Sequence, residues 1–382
     1  MMAKMVNICD VCSEIFAGGD APKNNMSIVQ TDEYNVPIYS NGEANDGLYG
    51  FTNFARVSEP SITISARGTI GYTSIRNTPF VPIVRLITLV PKKDVIDIRY
   101  LFYAAQNYHF DGSGTSIPQL TVPALKKYNF PLPTIAEQKK IVVVLDKICD
   151  LITLRKQQLL RLDELVKSRF IELFGDPVDN PKNYLVKSLQ ELIDMGYITY
   201  HLDGNHGGDY PRSEEFVDSG VPYIGANSIV NGKIDFSMAK FLTAERAGKL
   251  RKGIAQNDDV LFAHNATVGP TVVLKTTEPK VILSTSLTAY RCDKSRLLPN
   301  YLKAYMQSDG FVRQYSGEMK QTTRNQVPIT AQKKYLFLVP PIVEQKQFAV
   351  FVEQTDKSKL AIQKSLDVLE ILKKSLMQKY FG

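Results

Sequence analysis

The chain has 382 residues, 44% hydrophobic and 22% charged, with 46 basic and 39 acidic side chains. This length exceeds one domain of ordinary size, and the composition excludes fibrous and extensively disordered chains. Purely apolar runs such as Ile141 to Leu145 are far short of the roughly 20 residues that cross a bilayer, and residues 1–12 hold no signal-peptide core, so a cytoplasmic protein is expected.

From the N-terminus, the first pattern is Cys9-x-x-Cys12, in a short amphipathic turn expected to direct both thiols into a core. No second pair stands at zinc-ligand spacing, so no metal site is read, and the four scattered cysteines are expected as free thiols. Strand-like stretches follow at Ser61–Ser65 and Val81–Leu89, then a helical pattern over Ile98–Tyr108. Pro131 and Pro133 end a further strand, Thr134 is placed to cap a helix, and Glu137 completes the capping-box spacing. From there Ile141, Leu145, Ile148, Ile152, Leu159, Leu162 and Val166 form one apolar stripe, interrupted at Arg155, until Gly175 and Pro177 stop the helix. At about 1.5 Å per residue this is a rod of roughly 58 Å. Val260–Ala263 and Thr271–Leu274 read as strands and Pro299–Met306 as a helix, so both globular parts are expected to be α+β. A second rod starts after Pro340-Pro341 without a Thr cap. It carries Phe348, Val352, Ile362, Leu366, Leu369 and Leu372, with a less regular register near Thr355 and Lys359.

These elements occur twice. Residues 114–175 align without a gap on 321–382 at an offset of 207, with 20 identities in 62 positions, among them Glu137-Gln138-Lys139 with Glu344-Gln345-Lys346 and Phe174-Gly175 with Phe381-Gly382. Upstream, Val36-Pro37 pairs with Val221-Pro222, and the segment from Ala66 to Gly71 pairs with that from His264 to Gly269. The segments are therefore two globular parts, 1–133 and 177–341, each followed by a helix, 134–176 and 342–382. A rod this long outreaches a domain of about 130 residues, so much of each stripe needs a second long helix, and the two copies can serve each other. Either direction of pairing, or a helix laid across its own domain, remains compatible with the pattern.

Catalytic signatures are missing. The sequence has no GxxxxGK[ST] loop, and Gly18-Gly19 and Gly207-Gly208 lack the strand–glycine–helix context of a dinucleotide site. His109, His201, His206 and His264 stand in no nucleophile motif, and no Asn-Pro-Pro-Tyr-type base clamp is present, so the chain is expected to be non-catalytic.

The motifs resemble the specificity (S) subunits of type I restriction-modification systems along essentially the whole chain. The residues that carry the resemblance run from Pro133 to Ile141 into the first long helix, from Lys167 to Pro177 at its end, and through the segments Ala66–Gly71, Gly114–Leu120 and Val221–Asn227. Two departures are His264-Asn265-Ala266 in place of the Ala-Arg-Gly form and the missing Thr cap of the second helix. The resemblance implies two α+β target-recognition domains, each reading half of a bipartite, asymmetric site in double-stranded DNA. It also implies that the two helices pack as an antiparallel coiled coil with pseudo-two-fold symmetry. Further implied partners are two modification subunits, which methylate a flipped adenine, and ATP-driven restriction subunits. S-adenosylmethionine, ATP and Mg²⁺ would belong to those partners and none to this chain.

Within that frame the candidate DNA contacts are polar loop residues. In the first domain they are Asn41, Arg67, Thr69, Thr115, Ser116 and Gln119. In the second they are Tyr210, Arg212, Asn227, His264, Asn265, Thr322, Arg324 and Asn325. Arg suits guanine and Asn or Gln suits adenine, while hydroxyls suit phosphate. A polar residue beside glycine can equally cap its own turn, and Lys126, Lys127, Lys333 and Lys334 fit a solvated face as well as a phosphate clamp. A surplus of seven cations permits a nucleic-acid partner without requiring one. A subunit of a related methyltransferase system and a helical adaptor with two protein-binding domains stay open as alternatives.

Overall fold

The computed structural model describes residues 4–108, 119–319 and 325–382. They form two compact units, residues 1–157 with 363–382 and residues 158–362, so each long helix is shared between units instead of belonging to one.

Unit 1 runs β1 (Lys4–Asn7), α1 (Ile8–Val11), β2 (Cys12–Ala17), β3 (Val36–Tyr39), β4 (Leu48–Thr52), β5 (Ser61–Ile64), β6 (Thr73–Arg76), β7 (Val81–Pro82), β8 (Ile87–Pro91), α2 (Ile98–Asn107), α3 (Val122–Leu125), β9 (Asn129–Leu132) and then α4 (Ile135–Phe174). An antiparallel sheet has the order β2-β8-β5-β6, and a smaller one, β4-β3-β7, contains a parallel β3–β7 pair. β1 pairs antiparallel with β9, so the first strand clamps the strand that feeds the long helix.

Unit 2 follows the same plan with additions: β10 (Leu185–Ser188), α5 (Leu189–Asp194), β11 (Ile198–Asp203), β12 (Phe216–Val217), β13 (Val221–Ile224), β14 (Ile229–Val230), β15 (Lys233–Ile234), β16 (Lys240–Leu242), α6 (Ala244–Lys249), β17 (Ile254–Ala255), β18 (Val260–Ala263), β19 (Thr271–Val273), β20 (Val281–Leu283), β21 (Leu287–Cys292), α7 (Pro299–Met306), α8 (Asp309–Met319), α9 (Ile329–Gln332), β22 (Leu336–Val339) and α10 (Ile342–Phe381). The sheet β11-β21-β18-β19 repeats β2-β8-β5-β6, and β10–β22 repeats β1–β9. The second sheet widens to β12-β16-β13-β20-β17 and keeps a parallel β13–β20 pair where unit 1 has β3–β7. The class is α+β, and the repeat extends to topology.

Three local expectations are corrected. Val81–Leu89 is not one strand, since a turn over Ile83–Leu86 separates β7 from β8. Of the first two thiols only that of Cys12 is buried, and burial pushes it up to about 12, while Cys9 ends on the outer side of α1 and is exposed. Leu372 does not continue the apolar stripe of α10. It is 43% exposed, like Leu165 at the equivalent place in α4, and the stripe runs instead through Leu369 to Leu376 and Met377.

The start of α4 follows from its sequence. Thr134 and Glu137 form the capping box, with Thr134 N–H donating to Glu137 Oε2 at 3.1 Å and Glu137 N–H to Thr134 Oγ1 at 3.4 Å. One residue on, Gln138 is fully buried. Its Oε1 accepts from Asp97 N–H at 2.8 Å, and its Nε2 donates to the carbonyls of Pro133 at 2.9 Å and Val95 at 3.3 Å. In the second copy Gln345, equally buried, accepts from Leu298 N–H at 2.8 Å and donates to Pro340 at 2.8 Å and Arg296 at 3.2 Å. Each glutamine thus ties the first turn of a long helix to the residues that lead into α2 or α7. This explains why the glutamine recurs at that point.

Within unit 1, Val142 and Leu145 of α4 join the core formed by Ile8, Ile62, Leu89, Tyr100 and Phe130, and Met377 and Phe381 from the far end of α10 complete it. The Phe381 ring lies 4.9 Å from that of Tyr100. Within unit 2 the roles are exchanged. Phe348 and Val352 open α10 on the core of Leu189, Tyr301 and Phe337, and Phe170 and Phe174 from the end of α4 close it, each 5.6 Å from the Phe348 ring. The pairing is antiparallel in both units: Lys156 meets Glu370 at 3.2 Å in one, and Asp163 meets Lys359 at 2.5 Å in the other. Ile148, Ile152 and Leu366 are buried, and Ile141, Leu159, Leu162, Ile362 and Leu369 are half-buried. The irregular register near Thr355 and Lys359 is real. Thr355 is buried with its hydroxyl on the Phe351 carbonyl at 2.9 Å, and Lys359 reaches the edge of the seam to pair with Asp163.

Because Phe381 fills a core over 280 residues away in sequence from Tyr100, truncating it should leave a cavity that unit 1 cannot close. Phe381→Ala is expected to lower stability by about 3–5 kcal/mol, read by denaturant unfolding, whereas Leu372→Ala should cost under about 1 kcal/mol.

Candidate nucleic-acid interface

In unit 1 four loops are tied together by hydrogen bonds: the one after β3, the β5–β6 hairpin, the β7–β8 turn and the segment before α3. Asn41 acts as the brace. Its Oδ1 accepts from Ala66 N–H at 2.7 Å and its Nδ2 donates to the Val84 carbonyl at 2.6 Å. With both ends of the amide spent on backbone, Asn41 positions the loops and has little left for a base. Gly68 and Gly71, at φ +70° and +86°, shape the hairpin that holds Arg67 and Thr69 exposed at its tip. Arg67 donates from Nε and Nη2 to Gln119 Oε1 at 2.8 and 2.7 Å, and Arg85 reaches the same oxygen from Nη1 at 3.4 Å. Arg85 was not read from the sequence. The available signal was Pro82 and Arg85 interrupting an otherwise apolar run, which argues against one continuous strand. Thr115 and Ser116 lie outside the described residues.

Behind these loops Arg76, 4% exposed, ion-pairs with Asp46 and lies 3.6 Å from the Tyr39 ring centroid. Ser74 and Tyr72 donate to the same carboxylate at 2.6 and 2.9 Å. Burial acts to raise the Asp46 pKa, but these hydrogen bonds and the Arg76 charge outweigh it and hold the carboxyl below its ordinary value. The cluster is scaffolding that stiffens the loop at residues 44–47.

In unit 2 the corresponding loops also meet. The strip Asn265–Ala266 pairs with Asn325–Gln326: Ala266 N–H donates to the Asn325 carbonyl at 3.0 Å and Val327 N–H to that of His264 at 2.8 Å. Asn265 is half-buried and Asn325 exposed. Nearby, Ser284 and Ser286 share a hydrogen bond of 2.7 Å, and Ser286 Oγ accepts from Ala226 N–H at 2.8 Å, next to exposed Asn227. A Cβ on Gly225 would stand 2.8 Å from Asn227 Oδ1, so glycine is what permits that approach. Tyr210 and Arg212 are exposed on the segment before β12, held by Arg246, which donates to Glu215 at 2.5 Å and to the Asp209 carbonyl at 3.1 Å. Among the described residues neither Tyr210 nor Arg212 is hydrogen-bonded to the side chains of the Asn227–Asn325 group, and Arg212 N–H donates to Glu215 Oε2 at 2.7 Å within its own segment. Thr322 and Arg324 lie outside those residues. Lys126, Lys127, Lys333 and Lys334 are all exposed.

His264 is a correction. It is 1% exposed, with Nδ1 on Thr288 Oγ1 at 2.9 Å, and cannot touch DNA in this conformation. Burial disfavours the charged ring and lowers its pKa. The repeat explains why: His264 stands where unit 1 has Ala66, which is just as buried. The added ring extends a buried polar network in which Gln332 accepts from Tyr290 at 2.6 Å, donates to Thr288 at 3.1 Å and meets His201 Nε2 at 3.2 Å. Among the described residues no group of three or more His, Cys, Asp or Glu side chains could hold a metal ion. Among those residues, too, no helix is long and apolar enough to cross a membrane.

The two hairpins share an unusual backbone. Ala266 has φ +65° where Gly68 has +70°, and Gly269 matches Gly71 in the left-handed region. A Cβ in that region costs about 1–2 kcal/mol, partly offset by the freer unfolded chain of glycine. Ala266→Gly should therefore stabilise unit 2 by about 0.5–1 kcal/mol in thermal or denaturant unfolding, and Gly68→Ala should destabilise unit 1.

A family model described as the type I restriction modification DNA specificity domain matches residues 3–164 and 181–370. A putative type I specificity subunit of Mycoplasma pneumoniae is 34% identical over 187 residues, covering 49% of this chain and 53% of that protein. The MjaVIII type I restriction enzyme specificity subunit of Methanocaldococcus jannaschii is 22% identical over 312 residues, covering 76% and 71%. The chain thus spans about half the length of the first relative and more of the second. In fold it is similar to the crystal structure of a type I restriction-modification S subunit from M. genitalium, with TM-score 0.60, 15% identity, and 99% and 96% of the two chains covered.

Proposed function

The chain belongs to the family of type I restriction modification DNA specificity domains, and we propose that it is the DNA-reading specificity subunit of a type I restriction-modification complex. In this reading each unit binds one half of a bipartite, asymmetric target in double-stranded DNA. One observation carries it: a single scaffold is built twice, and its equivalent loops carry different chemistry. Two arginines gather around Gln119 in unit 1, whereas amides and hydroxyls of Asn227, Ser284, Ser286 and Asn265 gather in unit 2. A repeated scaffold suits the near two-fold symmetry of a duplex backbone, and unlike loops suit unlike half-sites. Donors and hydroxyls position the backbone, and Arg and Asn discriminate base edges.

The helices α4 and α10 would fix the gap between half-sites and dock two modification subunits. Apolar side chains left exposed along them, such as Leu151 and Leu154 on one and Val350 and Val368 on the other, support a docking role. Methyl transfer to an extruded adenine would be the work of those subunits with S-adenosylmethionine, and cleavage that of restriction subunits using ATP and Mg²⁺, in the cytoplasm. This chain would contribute recognition and spacing and no chemical step.

The reading is tested by expressing the chain with its modification subunit and mapping methylated adenines genome-wide, where a split motif is expected and a continuous or absent one overturns it. Binding to random duplex should fall linearly on a log–log plot against salt, by about 0.9 per phosphate contacted, and a flat response favours a protein adaptor instead. Removing the seven residues from Leu145 to Leu151 shortens α4 by about 10 Å. It should change the permitted gap or abolish assembly, and an unchanged gap at full activity would contradict the spacing role.

A further inference from the structure

The two arginines of unit 1 stand together without a carboxylate. Arg67 and Arg85 are both exposed, both donate to Gln119 Oε1, and neither has an ion pair among the described residues. Like charges repel, so a neutral oxygen that holds the two together leaves an arrangement with N–H donors still to be matched. The turn that presents Arg85 is also unusual. Leu86 N–H donates to the Ile83 carbonyl at 3.0 Å, with φ +51° at Val84 and +63° at Arg85. That is the backbone of a type I′ turn, whose central positions ordinarily go to Asn-Gly, and a β-branched residue there is an outlier.

Its surroundings enforce it. Val84 N–H donates to the Gly19 carbonyl at 2.7 Å, Arg85 N–H to that of Gly18 at 3.0 Å, and Asn41 takes the Val84 carbonyl. Gly18 can hold the turn this closely because a Cβ there would lie 2.6 Å from the Pro82 carbonyl. Strain maintained by this many bonds in an exposed loop points to a use for the side chain it presents.

We propose that Arg85 reads a guanine in the major groove of the half-site bound by unit 1, beside Arg67, with Gln119 as the buttress that orients both arginines instead of reading a base. Arg67 spends Nε and one Nη2 hydrogen on Gln119, which leaves its end-on pair of N–H groups free. Arg85 spends only Nη1, which leaves its Nε–Nη2 edge free. Either free edge matches the O6 and N7 acceptors of guanine. Lysine, a point charge on a flexible stem, cannot reproduce that fork.

The inference rests on the DNA-reading function, and one selection separates the two. The full chain is presented with a duplex library randomised at every position, as wild type, Arg85→Ala and Arg85→Lys, with unfolding curves confirming that each variant folds. The wild type should recover a split motif. Both variants should lose preference for a guanine at one position of one half-site, by roughly 5- to 150-fold, with the other half-site unchanged. If Arg85→Ala weakens all sequences alike, lowers the salt slope and is rescued by Arg85→Lys, the contact is to phosphate and the proposal is overturned. An unchanged motif at unchanged affinity overturns it as well. A wild type that recovers no motif removes the DNA-reading function itself, and this proposal with it.

Discussion

Each long helix is fixed to its domain by one buried glutamine, and much of the structure depends on that contact. Gln138 and Gln345 each use two hydrogen bonds to join the first helical turn to the loop before α2 or α7, and a third to the carbonyl of Pro133 or Pro340 just ahead of the helix. An amide in a dry site is costly unless satisfied, at about 1–3 kcal/mol for each unmet group, so helix and loop have one mutual arrangement and few near alternatives. The rotation of the helix then decides which side chains point inward. In unit 1 it puts Val142 and Leu145 of α4 on the core, and in unit 2 it puts Phe348 and Val352 of α10 on the core. Had the amide been replaced by an apolar side chain, packing alone would set the rotation, with far looser tolerance.

Above this frame the two units keep the same strands and change their loops. The hairpin after β5 and that after β18 follow the same left-handed path, yet one displays Arg67 and the other Asn265. Side chains facing inward are exchanged as well, as His264 in place of Ala66 shows, and there the added ring is absorbed by Thr288 within a hydrogen-bonded core network. Variation at equivalent places therefore divides by direction. Inward changes are answered by neighbouring core residues, and outward changes alter what a ligand would meet.

Much of this was legible in the residues. The capping box at Thr134 and the stop at Gly175 bounded α4 nearly to the residue, because both report local backbone demands. The strands at Val260–Ala263 and the helix at Pro299–Met306 were read with their observed limits. The direction of helix pairing was not legible from periodicity, since an apolar stripe is indifferent to the sense of its partner, and only the family resemblance supplied it. The roles of Phe170 and Met377 were missed because the stripe was followed only as far as aliphatic spacing stayed regular. Gln138 carried a repeat signal and no periodic one. His264 misled because a polar residue beside Asn and Thr resembles a loop, while the alignment with Ala66 pointed to the end of a buried strand. Arg85 was hidden by a turn without glycine or asparagine at its centre.

The exchange of helix ends also constrains how the polypeptide can mature. Tyr100 emerges from the ribosome long before Phe381, so the first core must wait, partly open, while the whole second module is translated. Contacts of such sequence separation form late and slowly, and the waiting surface is apolar. A nascent chain of this design is exposed to aggregation and proteolysis for most of its synthesis, and chaperone demand should fall on the first module more than on the second.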